Sequence, residues 1–252
     1  MGRAAAVRAA TKAKTDGAKA KNNNRYAKKI IMVIKAGGAD PAVNRQLANV
    51  IAEAKAANVP NDVIKRNIDK AAGADQADFK ESLFEFYGHG GVGILVNVLT
   101  DNDNRAASEV ALVAKKNNLK TANSGSVSFN FEKKARINVN GVIIEEDKLL
   151  DMCLEAGVDD YDLRTKVDGN PENPSAEGDS VIYVGLNDMS SLRDQLKLKG
   201  FQLETSLRQI PKAGQVTIND EDFDKNMNAI DAFEELDDVD LVEHNIDMTG
   251  DD

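Results

Sequence analysis

The densest run of chemically capable side chains in this chain of 252 residues is Thr100-Asp101-Asn102-Asp103-Asn104-Arg105. Its alternating carboxylates and amides look faintly like the start of a calcium loop. Such a loop needs glycine at its sixth position and an acid at its twelfth. Those positions hold Ala106 and Leu112, so a metal is rejected. The alternative is a strand-to-helix junction with Asn104 as the cap and Asp101 and Asp103 at the positive end of the helix dipole. Arg105 is then left to pair with Asp101 or to reach a phosphate. Glycine turns and strand ends expose backbone donors. Thr100, Asp101, Asn102, Asn104 and Arg105, joined by Gly125 and Ser126, therefore make one candidate surface for an anion.

Gly88-His89-Gly90-Gly91-Val92-Gly93 formally matches the dinucleotide pattern G-x-G-x-x-G, which requires a strand before it and a helix after it. Here a strand follows, so a turn that exploits the positive φ open to glycine is the preferred reading. His89 is read as a solvated turn residue that could contact phosphate, and Gly88, His89, Gly90 and Gly91 extend the candidate surface. Catalytic constellations are missing. His89 and His244 are the only histidines, and there is no Gly-Lys-Ser/Thr phosphate loop, no G-x-S-x-G and no H-x-x-x-H pair. The expectation is a protein that is not an enzyme, has no cofactor or metal, and takes no small-molecule substrate.

Charge supplies the stronger signal. The net charge is −10, yet residues 1–74 hold fifteen basic and five acidic residues, while the remainder holds seventeen and thirty-seven. The first part is therefore +10 and the rest −20. A basic segment on an acidic body predicts a polyanion contact confined to that segment. The acids Asp237, Asp238 and Asp240 read as a solvated acidic surface. Cys153 stands alone, which excludes an intrachain disulfide and fits a buried small residue in a reducing compartment. No run approaches the roughly 18 apolar residues of a membrane helix. The expectation is a soluble protein of the bacterial cytoplasm, with a mitochondrion or plastid as the alternative because the arginine-rich start resembles a transit peptide.

The elements that must position these residues follow from periodicity. Residues 1–25 lack large apolar side chains apart from Met1 and Val7 and predict a mobile arm that orders on binding. Helical spacing then gives Tyr26, Ile30, Val33 and Ile34 up to Gly37-Gly38. A second helix is capped by Asp40 with Pro41 at its first position and turns Val43, Leu47, Val50, Ile51 and Ala54 inward. A third follows Pro60 with Val63, Ile64, Ile68 and Ala71. Lys28, Lys29, Lys35, Arg45, Lys65, Arg66 and Lys70 are placed on outward faces. The next region reads strand Leu83 to Tyr87, strand Ile94 to Leu99, a helix to about Lys116, and a half-buried strand through Val127, Phe129 and Phe131. Residues 135–210 then run β-α-β-β-α-β, the ferredoxin-like order. A helix, Asp222 to Glu235, and a strand, Val239 to His244, remain, and that strand needs a sheet to join. The expected fold is α+β in three domains: a basic helical one at 1–74, a discontinuous one at 78–133 plus 211–252, and a ferredoxin-like one at 134–210 inserted into it.

Several spaced motifs then coincide. Tyr87-Gly88-x-Gly90-Gly91, Leu99-Thr100-Asp101-Asn102-x-Asn104-Arg105 and Gly125-Ser126-Val127-x-Phe129-x-Phe131 resemble the YebC/PmpR family, as do Gly37-Gly38-x-Asp40-Pro41-x-x-Asn44, Ala57-Asn58-Val59-Pro60, Asp237-Asp238-Val239 and His244-Asn245. Organellar members of that family include the translational activator of mitochondrial cytochrome c oxidase subunit I. The resemblance spans nearly the whole chain, with residues 172–178 looking like an insertion. It implies three domains, no catalytic activity, and a role in gene expression as a ribosome-associated translation factor or a DNA-binding transcriptional regulator. The opening departs from the family's tryptophan-containing start, since the chain has no tryptophan. The expected partners are the ribosome and its RNA or mRNA, with double-stranded DNA as the runner-up and no membrane. The expected phosphate contacts are Lys12, Lys14, Lys19, Lys21, Arg25, Lys28, Lys29 and Lys35.

Overall fold

The computed structural model describes residues 21–56, 59–73, 78–165, 180–212 and 215–247. Lys12, Lys14 and Lys19, the expected arm as far as residue 20, and the insertion suggested at residues 172–178 lie outside the described residues. The chain falls into two compact units. One takes the chain up to Ser82 with Val98–Ala107 and Asp237–Asp240; the other takes Leu83–Asn97, Ser108–Leu236 and the chain from Leu241 on.

In the first unit three helices, α1 over residues 21–37, α2 (Arg45–Ala56) and α3 (Asn61–Ala71), share one apolar core. Tyr26, Ile30, Val33 and Ile34 of α1 meet Leu47 and Ala54 of α2 and Ile64 and Ala71 of α3. Full burial of Ile30 and Leu47 is each worth about 2 kcal/mol of transfer free energy. The start of α2 corrects the expectation from Asp40-Pro41. The Asp40 carboxylate accepts from Ala42 N at 2.9 Å and closes a turn, and the helix begins only after Asn44. Asn44 is the cap, accepting from Leu47 N at 3.1 Å, while its amide donates to Val33 O and Gly38 O at 2.8 Å each. Val43 is left 80% exposed instead of entering the core. A side chain that bonds both ends of the turn outcompetes the more distant aspartate.

The first of two antiparallel sheets has the order β3-β1-β2-β8, from β1 (Lys80–Tyr87), β2 (Gly93–Thr100), β3 (Lys120–Thr121) and β8 (Val239–His244). Gly88 N donates to Val92 O at 2.7 Å across the turn between β1 and β2, where Gly90 and Gly91 take φ of 69° and 83°. Helix α4 (Asp103–Lys116) follows β2. Helix α7 (Asp220–Glu234), capped by Asn219 on Asp222 N, stacks Phe233 on Phe86 of β1 with ring centroids 5.3 Å apart. The expected strand through Val127 and Phe129 is absent: Ser128–Asn130 form a 3₁₀ turn, and Phe129 is 64% exposed. The alternation that suggested a strand is real at Val127 and Phe131, both buried beside Leu95, but the backbone between them is diverted to other partners.

The second sheet has the order β5-β6-β4-β7, from β4 (Phe131–Val139), β5 (Tyr161–Thr165), β6 (Ser180–Val184) and β7 (Leu203–Pro211). Helices α5 (Glu146–Ala156) and α6 (Met189–Leu198) complete the β-α-β-β-α-β order. With β4 as its first strand, this is the antiparallel ferredoxin-like arrangement. Period two decides its faces: Ala135, Ile137 and Val139 of β4 and Ile182 and Val184 of β6 pack with Leu149, Cys153, Leu192 and Leu196 of the helices. Cys153 is fully buried, and burial pushes its thiol up to about 11, which leaves it unreactive as a thiolate at neutral pH. The fold class is α+β as expected.

Candidate nucleic-acid interface

Helix α1 carries the five described members of the expected cationic set, Lys21, Arg25, Lys28, Lys29 and Lys35. Residues 25, 28 and 29 lie within one helical turn and so share a face. That face does not open to solvent. The Lys28 ammonium has three N–H groups and spends all three, on Leu99 O at 3.1 Å, Asp237 O at 3.0 Å and an Asp238 oxygen at 2.8 Å. The Arg25 guanidinium lies against both oxygens of Asp240, at 2.5 and 3.1 Å, and Lys29 Nζ is 3.5 Å from the same carboxylate. Lys28 and Lys29 are therefore not on an outward face; their side chains are 19% and 18% exposed. Lys35 is more open and lies 3.6 Å from Asp78, and Lys21 also has a partner. The cleft lined by Lys21, Arg25, Lys28 and residues 237–240 encloses only about 10 Å³, too little for a ligand.

Asp238 is the centre of this arrangement. It is buried, and besides Lys28 it accepts from Thr100 Oγ1 at 2.8 Å and from Arg105 through Nε at 3.2 Å and a terminal nitrogen at 2.6 Å. Burial pushes its carboxyl up, but hydrogen bonds from Lys28, Arg105 and Thr100 and the charge of Lys28 outweigh it, so the group sits below the ordinary carboxylate range. Arg105 also donates to Asp101 at 2.7 Å, and its bonds to Asp238 and then Asp101 raise its already high pKa. Next to Asp240, burial raises the carboxyl of Glu53, Lys29 and Arg25 lower it, and Asp240 adds a further raise; the net direction is up. The reading of Asp237, Asp238 and Asp240 as a solvated acidic surface is thus overturned for the last two. They neutralise the basic helix.

The polar cluster itself is a helix start, with one change. Asn102, not Asn104, is the cap, accepting from Arg105 N at 3.1 Å, while Asn102 N donates to the Thr100 hydroxyl at 3.0 Å. The helix begins at Asp103, two residues earlier than an Asn104 cap allows. Asn104 is exposed and has a partner of its own.

The remaining candidates, Gly88 to Gly91 with Gly125 and Ser126, belong to the second unit. His89 is not a solvated turn residue. Fully buried Asn226 of α7 accepts from His89 N and donates to His89 O, both at 2.9 Å. A Cβ on Gly88 would lie 2.3 Å from the Asn226 carbonyl oxygen, so this position requires glycine. The His89 ring Nε2 is 3.0 Å from Asn117 O, and because a carbonyl only accepts, that nitrogen donates. Gly125 and Ser126 sit in a loop gripped by Glu85 of β1. The Glu85 carboxylate, 5% exposed, accepts from Gly125 N at 2.6 Å, Val127 N at 2.8 Å, Ser128 N at 2.9 Å and the Ser128 hydroxyl at 3.0 Å. Burial raises this carboxyl, and the hydrogen bonds from Gly125, Ser128 and Val127 reverse the shift to leave it low.

The three polar residues that organise these places, Glu85, Asn226 and Asp238, carried no signal in periodicity, because a buried polar side chain on a strand edge or helix looks like any surface one. Only Asp238 stood within a quoted motif. Among the described residues no group of three or more His, Cys, Asp or Glu side chains converges as a metal site would require.

Comparison with known proteins places the chain. A family model described as the TACO1/YebC protein N-terminal domain matches residues 3–74, and one described as the TACO1/YebC second and third domain matches residues 79–246. A protein of Clostridioides difficile (strain 630), named a probable transcriptional regulatory protein, is 40% identical over 238 residues, covering 93% of this chain and 94% of the relative. One of Protochlamydia amoebophila (strain UWE25), with the same kind of name, is 37% identical over 236 residues, covering 93% and 91%. The crystal structure of a conserved hypothetical protein from Aquifex aeolicus superposes with a TM-score of 0.76 at 32% identity, over 93% of each chain. With both halves matched in order and whole-length relatives alongside, the chain belongs to the TACO1/YebC family.

Proposed function

We propose that this protein is a non-enzymatic regulator of gene expression that binds RNA on the ribosome and assists translation in the cytoplasm of a bacterium. It would work as three domains, 1–74, 78–133 with 211–252, and 134–210. The observation that carries the reading is the distribution of surface charge in the first unit. With Arg25, Lys28 and Lys29 engaged by aspartates, the exposed charges of α1 to α3 are still mostly basic: Lys35, Arg45, Lys55, Lys65, Arg66 and Lys70 against Asp62 and Asp69. Residues 1–20 add five basic residues and one acid. A polyanion is the partner such a surface attracts. About six phosphate contacts imply that log affinity falls with log salt at a slope of roughly −4 to −5.

A double-stranded DNA regulator is the second reading, favoured by the names of the bacterial relatives. Sedimentation with ribosomes over a salt series, with random duplex as competitor, separates the two. Co-sedimentation that survives competitor and is lost on removing residues 1–20 or on Lys65→Glu with Arg66→Glu supports the ribosomal reading. Free protein with tight duplex binding replaces it by the DNA reading. Charge reversal at Lys28 or Lys29 is the wrong probe, because it would also strand Asp238 and Asp240.

A further inference from the structure

The loop over residues 123–130 is held more firmly than a surface connection requires. Glu85 takes three of its backbone N–H groups, Ser126 N and its hydroxyl both donate to Asn123 O, and Asn130 N donates to Val127 O at 3.0 Å. Val127 and Phe131 anchor it in the core, and Val127 packs so closely that a Cβ on Gly93 would meet its methyl at 2.8 Å. From the second side Lys212 N donates to Asn130 O at 2.8 Å and Lys212 Nζ to Phe129 O at 2.7 Å. On this fixed backbone Phe129, between two buried neighbours in the alternation, is 64% exposed. The Tyr87 hydroxyl reaches Ser126 O at 3.1 Å, and exposed Lys120 is the cross-strand partner of Tyr87.

We propose that this loop is a stacking site for an unpaired base of single-stranded RNA, with the Phe129 ring as the platform and Lys212 and Lys120 as the flanking phosphate contacts. The proposal rests on the RNA reading above and names a second point of contact for it. Every base has a π face, so one rigid exposed ring beside cations binds unpaired nucleotides without reading their sequence. The choice against a protein partner follows from surroundings. A protein interface needs roughly 800 Å² per side with an apolar centre, whereas Phe129 is a single exposed ring whose own carbonyl holds the Lys212 ammonium. The local cations also counter the surrounding acidity, which would otherwise repel a nucleic acid.

The test is titration of the full chain into a single-stranded RNA oligonucleotide carrying 2-aminopurine, whose fluorescence falls when it stacks. The wild type should quench the probe. Phe129→Ala should abolish the quench and weaken affinity about tenfold, and Phe129→Trp should restore both. Because Phe129 is exposed, unfolding is not expected, and circular dichroism of each variant checks this. Glu85→Gln, which loosens the loop and leaves the ring, should lower the quench in part. Wild-type binding without quench, or an equal quench by Phe129→Ala, overturns the stacking site and leaves the RNA reading standing. No binding of the RNA by the wild type at low salt overturns both.

Discussion

Two buried carboxylates organise the two units in opposite ways. Glu85 accepts only neutral donors, three backbone N–H groups and one hydroxyl, all from a single loop about forty residues on. Asp238 accepts from two cations and a hydroxyl, brought from α1, the end of β2 and the start of α4. The first arrangement sets a shape; the second cancels charge. A basic helix therefore advertises more available charge in its sequence than it presents, and the loop that looks merely turn-like is among the better-determined parts of the surface.

The comparison is broken most directly at Asp238. Replacing it with Ala leaves the largely covered Lys28 ammonium without its anion and takes one of two carboxylate partners from exposed Arg105, and should destabilise by about 3 kcal/mol in urea unfolding. A loss below about 1 kcal/mol would show that the cluster only decorates the surface. Asp238→Asn should recover little of this, because an amide has one acceptor where two cations need a charge.

At Glu85 the expected loss is smaller. Glu85→Gln keeps one acceptor oxygen for Val127 N and Ser128 N and turns an amide nitrogen towards Gly125 N, which should cost about 2 kcal/mol. The loop amides of Gly125, Val127 and Ser128 should then lose hydrogen-exchange protection while those of α1 keep theirs. Simultaneous loss in both places would mean that the loop is not an independent feature.

The smallest effect is in pH. Both carboxyls sit below their unfolded values, so each contributes stability that is complete above the unfolded pKa, near pH 4, and is lost as pH falls through the folded one. The slope of stability against pH below about pH 4 should flatten in Glu85→Gln and in Asp238→Asn. Added salt should weaken the Asp238 contribution more than that of Glu85, because screening acts on charge pairs. Equal salt sensitivity would remove the distinction between the two sites.

Much of the architecture was legible from residue pattern. The strand Val239 to His244 was placed to the residue, and its need for a sheet is met beside β2. Helix α5, the first of the two helices expected in the β-α-β-β-α-β order, runs Glu146–Ala156 and ends at Gly157 in the left-handed conformation. The errors fall where a side chain competes with the backbone pattern: Asn44 over Asp40, Asn102 over Asn104, and Glu85, which pulls the chain at Val127 to Ser128 out of a strand that its alternation allowed. The two-residue strand β3 was missed because it is too short to show a period. Of the candidate surface, the pairing of Arg105 with Asp101 was one of two outcomes left open by the sequence, and the burial of Asp238 was not foreseen.

The sequence by itself determined the helices, the ferredoxin-like order of strands and the separation of basic from acidic halves, since each follows from local periodicity, caps and composition. Tertiary structure alone decided which charges remain available. Lys28 and Asp238 are 210 positions apart, and no local pattern reports whether a cation faces water or a carboxylate brought there by the closing of a sheet.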